Sequence, residues 1–165
     1  MNTTSSESLP TPSHGDDPIA ELHHPSTWWL LFLAFITAGV YYGHYVVRQT
    51  RTLARFLPDE KANPLLGYAT SVLIMAYVSL IPTVALLLLP LSNSTAKAFD
   101  TLGGILSLIW VLMHSIWSIR FSGHMNAYYG YPRASADWFR GFWSFLFSSL
   151  YINYKLNCNV ERHPR

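Results

Sequence analysis

Two histidines inside apolar stretches are the residues of this sequence best suited to chemistry. His44 occurs in VYYGHYVV and His114 occurs in WVLMHSIW. Imidazole is a common ligand of metals and haem iron, and an ionisable group in a membrane segment suggests a functional site. If the two stretches are neighbouring helices, His44 and His114 could share a depth and bind haem b or a metal. The alternative, which we favour, is that each ring hydrogen-bonds to a tyrosine or a backbone carbonyl.

Patterns for other catalytic chemistry do not occur in the sequence. There is no GxSxG, P-loop or HExxH motif. Cys158 is the single cysteine, which excludes an internal disulfide or a thiolate cluster within one chain. The net charge of +2 is too small for strong nucleic-acid binding. We therefore expect neither an enzyme nor a nucleic-acid partner.

The composition is that of an integral membrane protein. Half of the residues are hydrophobic and 12% are charged, whereas soluble domains carry about 25% charged residues. Because about 20 apolar residues cross the hydrocarbon core as a helix, we predict an all-α integral membrane domain over residues 27–157. Its three transmembrane helices are expected at about residues 28–47, 65–91 and 102–119. The fourth apolar stretch, residues 142–152, is too short to cross as a straight helix, so we predict a re-entrant, interfacial or tilted segment and prefer the first.

The charged residues predict an orientation for this domain. Residues 1–26 are polar and acidic and are expected to form a disordered tail, while residues 158–165 form a C-terminal tail. The loops after the first and third spans carry most of the cations: Arg48, Arg51, Arg55, Lys61, Arg120, Arg133 and Arg140. Cytoplasmic loops are enriched in Lys and Arg. We therefore expect the N-terminus outside and both of these loops in the cytoplasm.

Small residues in the first span suggest close helix packing. Gly39 and Gly43 form a GxxxG pair, and Ala34 and Ala38 add small surfaces beside it. Small residues let membrane helices approach closely. We expect this seam to pack against another helix of the chain or against a partner.

A polar stripe is predicted on the same span. Residues at spacings of three or four lie on one face of a helix, and six polar residues follow one another at these spacings: Thr37, Tyr41, His44, Arg48, Arg51 and Arg55. The stripe predicts a continuous helix that ends before Pro58. Further along, we expect Arg120, Tyr128, Tyr129 and Arg133 to lie at the headgroup level, where they form a candidate lipid-headgroup site: cations beside aromatic rings suit that position.

Two phrases at opposite ends of the domain resemble each other. FITAGVY, residues 35–41, aligns with FLFSSLY, residues 145–151, so that Ala38 and Gly39 fall opposite Ser148 and Ser149. Under the predicted orientation the two copies run in opposite senses. This would be a small inverted repeat, a plan that occurs in transporters.

The same phrases resemble a family of small, uncharacterised bacterial membrane proteins. In that family an early span ends in a Gly-x-Tyr phrase, and a Phe-rich segment near the C-terminus is followed by Tyr-Lys-x-Asn. The matching positions are Gly39, Tyr41, Phe147, Tyr151, Tyr154, Lys155 and Asn157. The resemblance supports the topology and implies a bacterial inner membrane, and it brings no activity with it.

Three functions are compatible with these features. The leading one is a non-catalytic accessory or assembly subunit that binds other membrane proteins in the lipid bilayer. The second is a protomer of an oligomeric transporter or channel. The third is a redox subunit that binds haem or metal through His44 and His114.

Overall fold

The computed structural model describes residues 17–22 and 25–162. Its helices are α1 (Pro18–Glu21), α2 (Thr27–Ile36), α3 (Val40–Ala54), α4 (Asp59–Leu88), α5 (Asn93–Tyr129) and α6 (Gly141–Arg162). The all-α prediction is confirmed for the described residues, which contain no strand. Two of these helices, α4 and α5, have the length and apolar composition needed to cross a membrane.

The helix α4 starts earlier than the sequence predicts. Asp59 and Glu60 occupy its first turn, where carboxylates suit the positive end of the helix dipole. Pro82 lies inside the helix, which continues beyond it to Leu88. The helix then ends because Leu89 precedes Pro90 and takes an extended conformation.

The helix α5 extends beyond the predicted span, residues 102–119, at both ends. The Ser92 side chain caps its N-terminus by accepting a hydrogen bond from the Thr95 amide. Its C-terminus is closed by Gly130, whose positive φ of 60° suits a glycine. With 37 residues, α5 is about 55 Å long and is the longest element described.

The predicted first span, residues 28–47, is not one helix. The chain breaks between α2 and α3, where Ala38 and Gly39 have φ values of 47° and 88°. Thr37 serves both helices at this break, because its hydroxyl donates to the Leu33 carbonyl and accepts from the Tyr41 amide. The prediction of a continuous helix through residue 57 is therefore wrong.

The break turns the chain back on itself. Glu21, before α2, forms an ion pair with Arg55, after α3, at 3.2 Å. A continuous helix from residue 28 to Arg55 would by itself be about 40 Å long. We call α2, the turn at residues 37–39 and α3 the first hairpin.

The helix α6 forms a second hairpin. Its backbone leaves the helical region at Ser148, which has φ 42° and ψ −121°. After this bend the chain returns towards the residues that precede α6: the Tyr151 hydroxyl accepts from the Arg140 amide, and Arg162 pairs with Asp137 at 2.7 Å. This is the hairpin geometry that we preferred for residues 142–152, extended here over residues 141–162.

Both hairpins start and finish at one end of the molecule, which we call the near end. Arg55, Tyr129 and Arg162 lie there, whereas the turn between α4 and α5, residues 89–92, forms the far end. The hydrophobic core lies towards the near end and includes Val46, Trp117 and Ile152. The orientation predicted from charge placed residues 1–26 opposite the loop after residue 48. The geometry differs, because the first hairpin returns and brings Glu21 to Arg55.

Residues 17–22 of the predicted disordered tail also differ from expectation. They form α1, whose Ile19 and Leu22 side chains are buried in the core. The Tyr129 hydroxyl donates to the Asp17 carboxylate and accepts from the Ile19 amide. Burial, reinforced by the Asp17 carboxylate, raises the pKa of Tyr129, so this hydroxyl stays protonated and can donate. Residues 1–16 lie outside the described part of the chain.

Candidate functional site

The two hairpin tips are the most unusual backbone in the molecule. Ala38 and Ser148 are the non-glycine residues with positive φ among those described, at 47° and 42°. These are the two positions that the alignment of FITAGVY with FLFSSLY places opposite each other. The likeness of the phrases thus corresponds to a shared break in the helix. Since both hairpins start from the near end, the copies run in the same sense, and the expected inverted repeat is not formed.

The tips pack against the middle of α5. A Cβ atom added to Gly39 would lie 2.8 Å from the ring of Trp110, so the first tip touches this indole. Ser148 of the second tip lies 3.2 Å from the Ser115 hydroxyl, between the two Oγ atoms. Backbone that leaves the helical conformation at membrane depth is tolerated where protein covers it. These contacts cover one side of each tip.

His114 lies buried beside the second tip. Its Nε2 atom is 2.6 Å from the Ser149 hydroxyl. Its ring stacks between Trp110 and Trp117, with centroid separations of 5.6 and 6.0 Å, and the Tyr42 ring lies 5.5 Å away. The imidazole therefore links α5 to the second hairpin through one hydrogen bond and several ring contacts.

His44 makes a separate contact. Its Nε2 atom lies 2.8 Å from the Tyr77 hydroxyl, so it connects α3 to α4. The two histidines that were candidates for a haem or metal site thus form separate hydrogen bonds through their Nε2 atoms, His44 with Tyr77 and His114 with Ser149. Within the described ranges, no cluster of three or more His, Cys, Asp or Glu residues is suitable for a metal. A two-histidine site stays a prediction.

The predicted glycine seam packs inside the chain. A Cβ atom on Gly43 would lie 2.9 Å from a methyl group of Leu73 and 3.1 Å from its Cα, so α3 meets α4 at close range here. Gly39 contacts Trp110, and Ala34 is buried. Ala38 is exposed at the tip. The close packing expected from the GxxxG pair is therefore made within the chain, around a turn instead of along one helix.

The predicted polar stripe is also divided by the turn. Thr37 lies in the turn, while Tyr41, His44 and Arg48 follow it on α3. Arg48 is exposed on the part of α3 that returns from the tip towards the near end. The stripe does not form one polar face from Thr37 onwards, because the helix begins at Val40.

The predicted headgroup residues have different neighbours. Arg120 lies over the Tyr68 ring at 4.8 Å, which is a cation–π contact between α5 and α4. The Tyr128 ring meets that of Phe56, whereas the Tyr129 hydroxyl binds α1. Arg133 is exposed in the loop after α5. All four lie towards the near end, and the Tyr128 and Tyr129 rings contact each other with centroids 5.1 Å apart. A lipid-headgroup site shared by the four residues stays a prediction.

A row of serines between α5 and α6 was missed by the sequence reasoning. Ser122 and Ser144 hydroxyls lie 2.7 Å apart, in addition to the Ser115–Ser148 pair and the His114–Ser149 contact. Serines on α5 recur three and four residues apart, at Ser115, Ser118 and Ser122, and on α6 four apart, at Ser144 and Ser148. That spacing was a readable signal of a small, polar helix face.

Asn153 connects the two hairpins. Its Oδ1 atom accepts from the Tyr45 hydroxyl at 3.3 Å, and its Nδ2 atom donates to the Pro25 carbonyl at 2.7 Å and lies 3.2 Å from the Thr27 hydroxyl. Asn153 is fully buried. One side chain thus ties the returning part of the second hairpin to both parts of the first.

The C-terminal phrase that resembles Tyr-Lys-x-Asn supplies further ties of this kind. Lys155 donates to the Ala136 carbonyl, and Asn157 donates to the Pro25 carbonyl at 3.3 Å.

Comparison of the chain with protein-family models, curated proteins and solved structures finds no match. Membership of the bacterial membrane family therefore stays a prediction.

Proposed function

We propose that this chain is a non-catalytic integral membrane protein in which α4 and α5 cross the bilayer and the two hairpins enter it from one side only. The observation that carries the proposal is the distribution of polarity. Large apolar side chains are exposed along α4 and α5, such as Leu87 at 78% and Leu108 at 60%, while polar side chains such as Ser144, Asn153 and His114 are buried. This arrangement suits hydrocarbon outside and hydrogen bonds inside.

The near end is proposed to face the cytoplasm. Ten Lys and Arg residues lie in the described ranges; nine of them lie in segments that belong to this end, and Lys97 lies beside the far turn. An excess of cations marks the cytoplasmic side. Both hairpins and the described α1 then belong to the cytoplasmic leaflet or its surface. A bacterial inner membrane is part of this proposal and depends on the family resemblance.

The topology can be tested with single cysteines in a Cys158→Ser background. Glu60→Cys and Asn93→Cys place one thiol at each end, and a cysteine inserted before residue 17 reports on the N-terminal tail. We expect a membrane-impermeant maleimide to label Asn93→Cys from outside in intact cells, and the other two only after lysis. Labelling of the N-terminal cysteine in intact cells, with Glu60→Cys protected, would instead mean that residues 27–54 cross the membrane.

The role that we propose is that of an accessory or assembly subunit. Gly67 and Ser71 are exposed, four residues apart, on the outward face of α4, and a side chain added to Gly67 would meet only open space. A small-xxx-small pair on an outward face suits close approach of a partner helix. Gly39 and Gly43 are less suited to this role because they contact Trp110 and Leu73 of the same chain.

Gentle detergent extraction followed by native mass spectrometry tests this role. We expect a second membrane protein in stoichiometric amount, and we expect Gly67→Leu to release it without unfolding the chain. Gly123→Leu is the matched control, because Gly123 is equally open but lies beyond Arg120, outside the apolar part of α5. Retention of the partner by Gly67→Leu would exclude this face as the contact.

The same sample distinguishes the two other candidate functions. A homo-oligomer with no second protein would favour a transporter or channel, for which the two broken helices are the supporting feature. An absorption spectrum with a Soret band that His114→Ala removes would favour the haem-binding alternative. Absence of that band from the purified protein would exclude bound haem.

A further inference from the structure

The two hairpins give the two halves of the molecule very different widths. The charge-free part of α5 lies between Asp100 and Arg120, and its middle is Trp110. The first tip touches Trp110, and the second reaches His114 and Ser115, which are nearer to Arg120. No described contact places either hairpin on α5 beyond Trp110, towards the far end. Both therefore occupy the near half, the part of the molecule between Trp110 and the near end.

The far half consists of α4 and α5 alone among the described elements. The two helices meet closely there at Pro82 and Gly103. A Cβ atom added to Gly103 would lie 3.3 Å from the Cβ atom of Pro82. Around that contact the apolar side chains are exposed, for example Leu88 at 74% and Ile105 at 53%. In the near half, by contrast, α3 packs against both α4 and α5, α6 packs against α5, and α2 packs against α3 and α6. Six helical segments thus occupy one half and two occupy the other.

The additional segments displace lipid, because their outer faces are apolar and exposed. Phe35 on the first hairpin is 83% exposed, and Phe142 on the second is 68% exposed. A helix with side chains is about 10 Å wide, so each segment occupies roughly 80 Å² of a leaflet. Four extra segments therefore enlarge the cross-sectional area of the near half by about 300 Å².

Hydrogen bonds and ring contacts hold this wide half together. The Trp117 indole donates to the Thr50 hydroxyl at 2.8 Å, which fixes the returning part of the first hairpin to α5. The serine row and His114 hold the second hairpin, and Asn153 joins the two. A wedge with internal bonds resists being flattened by lateral pressure from the lipid.

We propose that the chain acts as a membrane-bending wedge, which widens the leaflet at its near end and favours membranes that are convex towards that end. The ligand of this activity is the lipid bilayer itself. The inference depends on the insertion proposed above, and it adds a mechanical activity that insertion alone does not imply. Insertion into one leaflet couples to curvature because the two leaflets must then differ in area.

The sign of the effect provides the test. The full chain carrying Glu60→Cys and Cys158→Ser is reconstituted at low density into phosphatidylcholine–phosphatidylglycerol vesicles, which are separated into small and large size classes. An impermeant fluorescent maleimide then reports the fraction with the near end outside. Because a state that is favoured by curvature gains population, we expect the outside-to-inside ratio to be roughly twofold or more higher in the small vesicles.

Matched variants sharpen this test. Trimming exposed near-half side chains by Phe35→Ala with Phe142→Ala should reduce the size dependence, whereas trimming exposed far-half side chains by Leu87→Ala with Ile105→Ala should increase it. All four side chains are largely exposed, so neither pair removes core packing. Circular dichroism and the elution volume in detergent verify that each variant is folded.

The outcomes separate this proposal from the one it rests on. Protein that is extracted from the vesicles by alkaline carbonate would overturn insertion, and with it the wedge. Protein that resists carbonate but shows the same orientation ratio in small and large vesicles would overturn the wedge alone. A ratio that falls in small vesicles would also overturn it, because the wide half would then lie on the concave side.

Discussion

The near and far halves of this molecule are stabilised in different ways. In the near half, the buried Thr50 and Ser144 side chains join α3 and α6 to α5, and the buried Asn153 joins α6 to α3 and to the start of α2. In the far half, a close contact between Pro82 and Gly103 joins two helices whose outer faces are apolar. Hydrogen bonds are directional, so they can hold short and broken helices in one arrangement. Two long helices that satisfy their own backbone need fewer such bonds.

The largest expected effect is at the first hairpin tip. Gly39→Val requires a β-branched residue at a φ of 88° and places its side chain against Trp110. We expect a loss of about 3–5 kcal/mol of stability, from backbone strain together with overpacking. Thermal unfolding in detergent measures this loss.

Gly104→Val is the far-half counterpart of that substitution. Gly104 has ordinary helical geometry, and an added side chain meets nothing within 4 Å. We expect a small gain of less than about 0.5 kcal/mol, because valine has a slightly higher helix propensity than glycine. Equal losses in the two variants would contradict the view that only the near half depends on a special turn.

A smaller effect is expected where α3 meets α5. Thr50→Val keeps the shape of the side chain but leaves the fully buried Trp117 indole without its acceptor. An unsatisfied buried donor costs about 1–3 kcal/mol. The double variant Thr50→Val with Trp117→Phe should lose less than the sum of the two single losses. Strict additivity in this double-mutant cycle would mean that the bond contributes nothing.

The serine row should contribute less for each bond. Ser122→Ala removes one partner of a 2.7 Å contact with Ser144, and interhelical bonds of this kind contribute about 0.6 kcal/mol on average in membranes. We expect Ser122→Ala with Ser144→Ala to be close to neutral, because both hydroxyls are then removed. A large loss in the double variant would assign the row a packing role that hydrogen bonding does not explain.

The smallest effect is expected at the surface of the near end. Arg55 and Glu21 form an ion pair whose side chains are 71% and 40% exposed. Exposed pairs contribute about 0–1 kcal/mol and are screened by salt. Arg55→Gln should therefore shift the unfolding temperature slightly at low salt and not at high salt. A strong effect that persists at high salt would show that α1 is held mainly through this pair.

Sequence reasoning predicted helices and their approximate places well in some regions and poorly in others. The apolar runs led to α4 and α5, since a long, charge-free stretch has few other stable conformations. The alignment of Ala38 with Ser148 was interpreted as an inverted repeat and predicted no break at either position, although the helix breaks at both. The His44 contact with the Tyr77 hydroxyl fits the alternative that we favoured, whereas His114 contacts the Ser149 hydroxyl, which is neither of the two expected kinds of partner.

The sequence by itself determined that the described part of the chain is helical and that the stretches forming α4 and α5 suit a membrane, and it also predicted a straight span over residues 28–47. Only the tertiary structure decided that residues 27–54 turn back. Gly39 and Gly43 suit a straight packed helix as well as a tight turn, because glycine accepts both signs of φ. The choice between them depends on contacts with Trp110, Leu73 and Asn153, which are distant in sequence, and local residue patterns carry no record of such contacts.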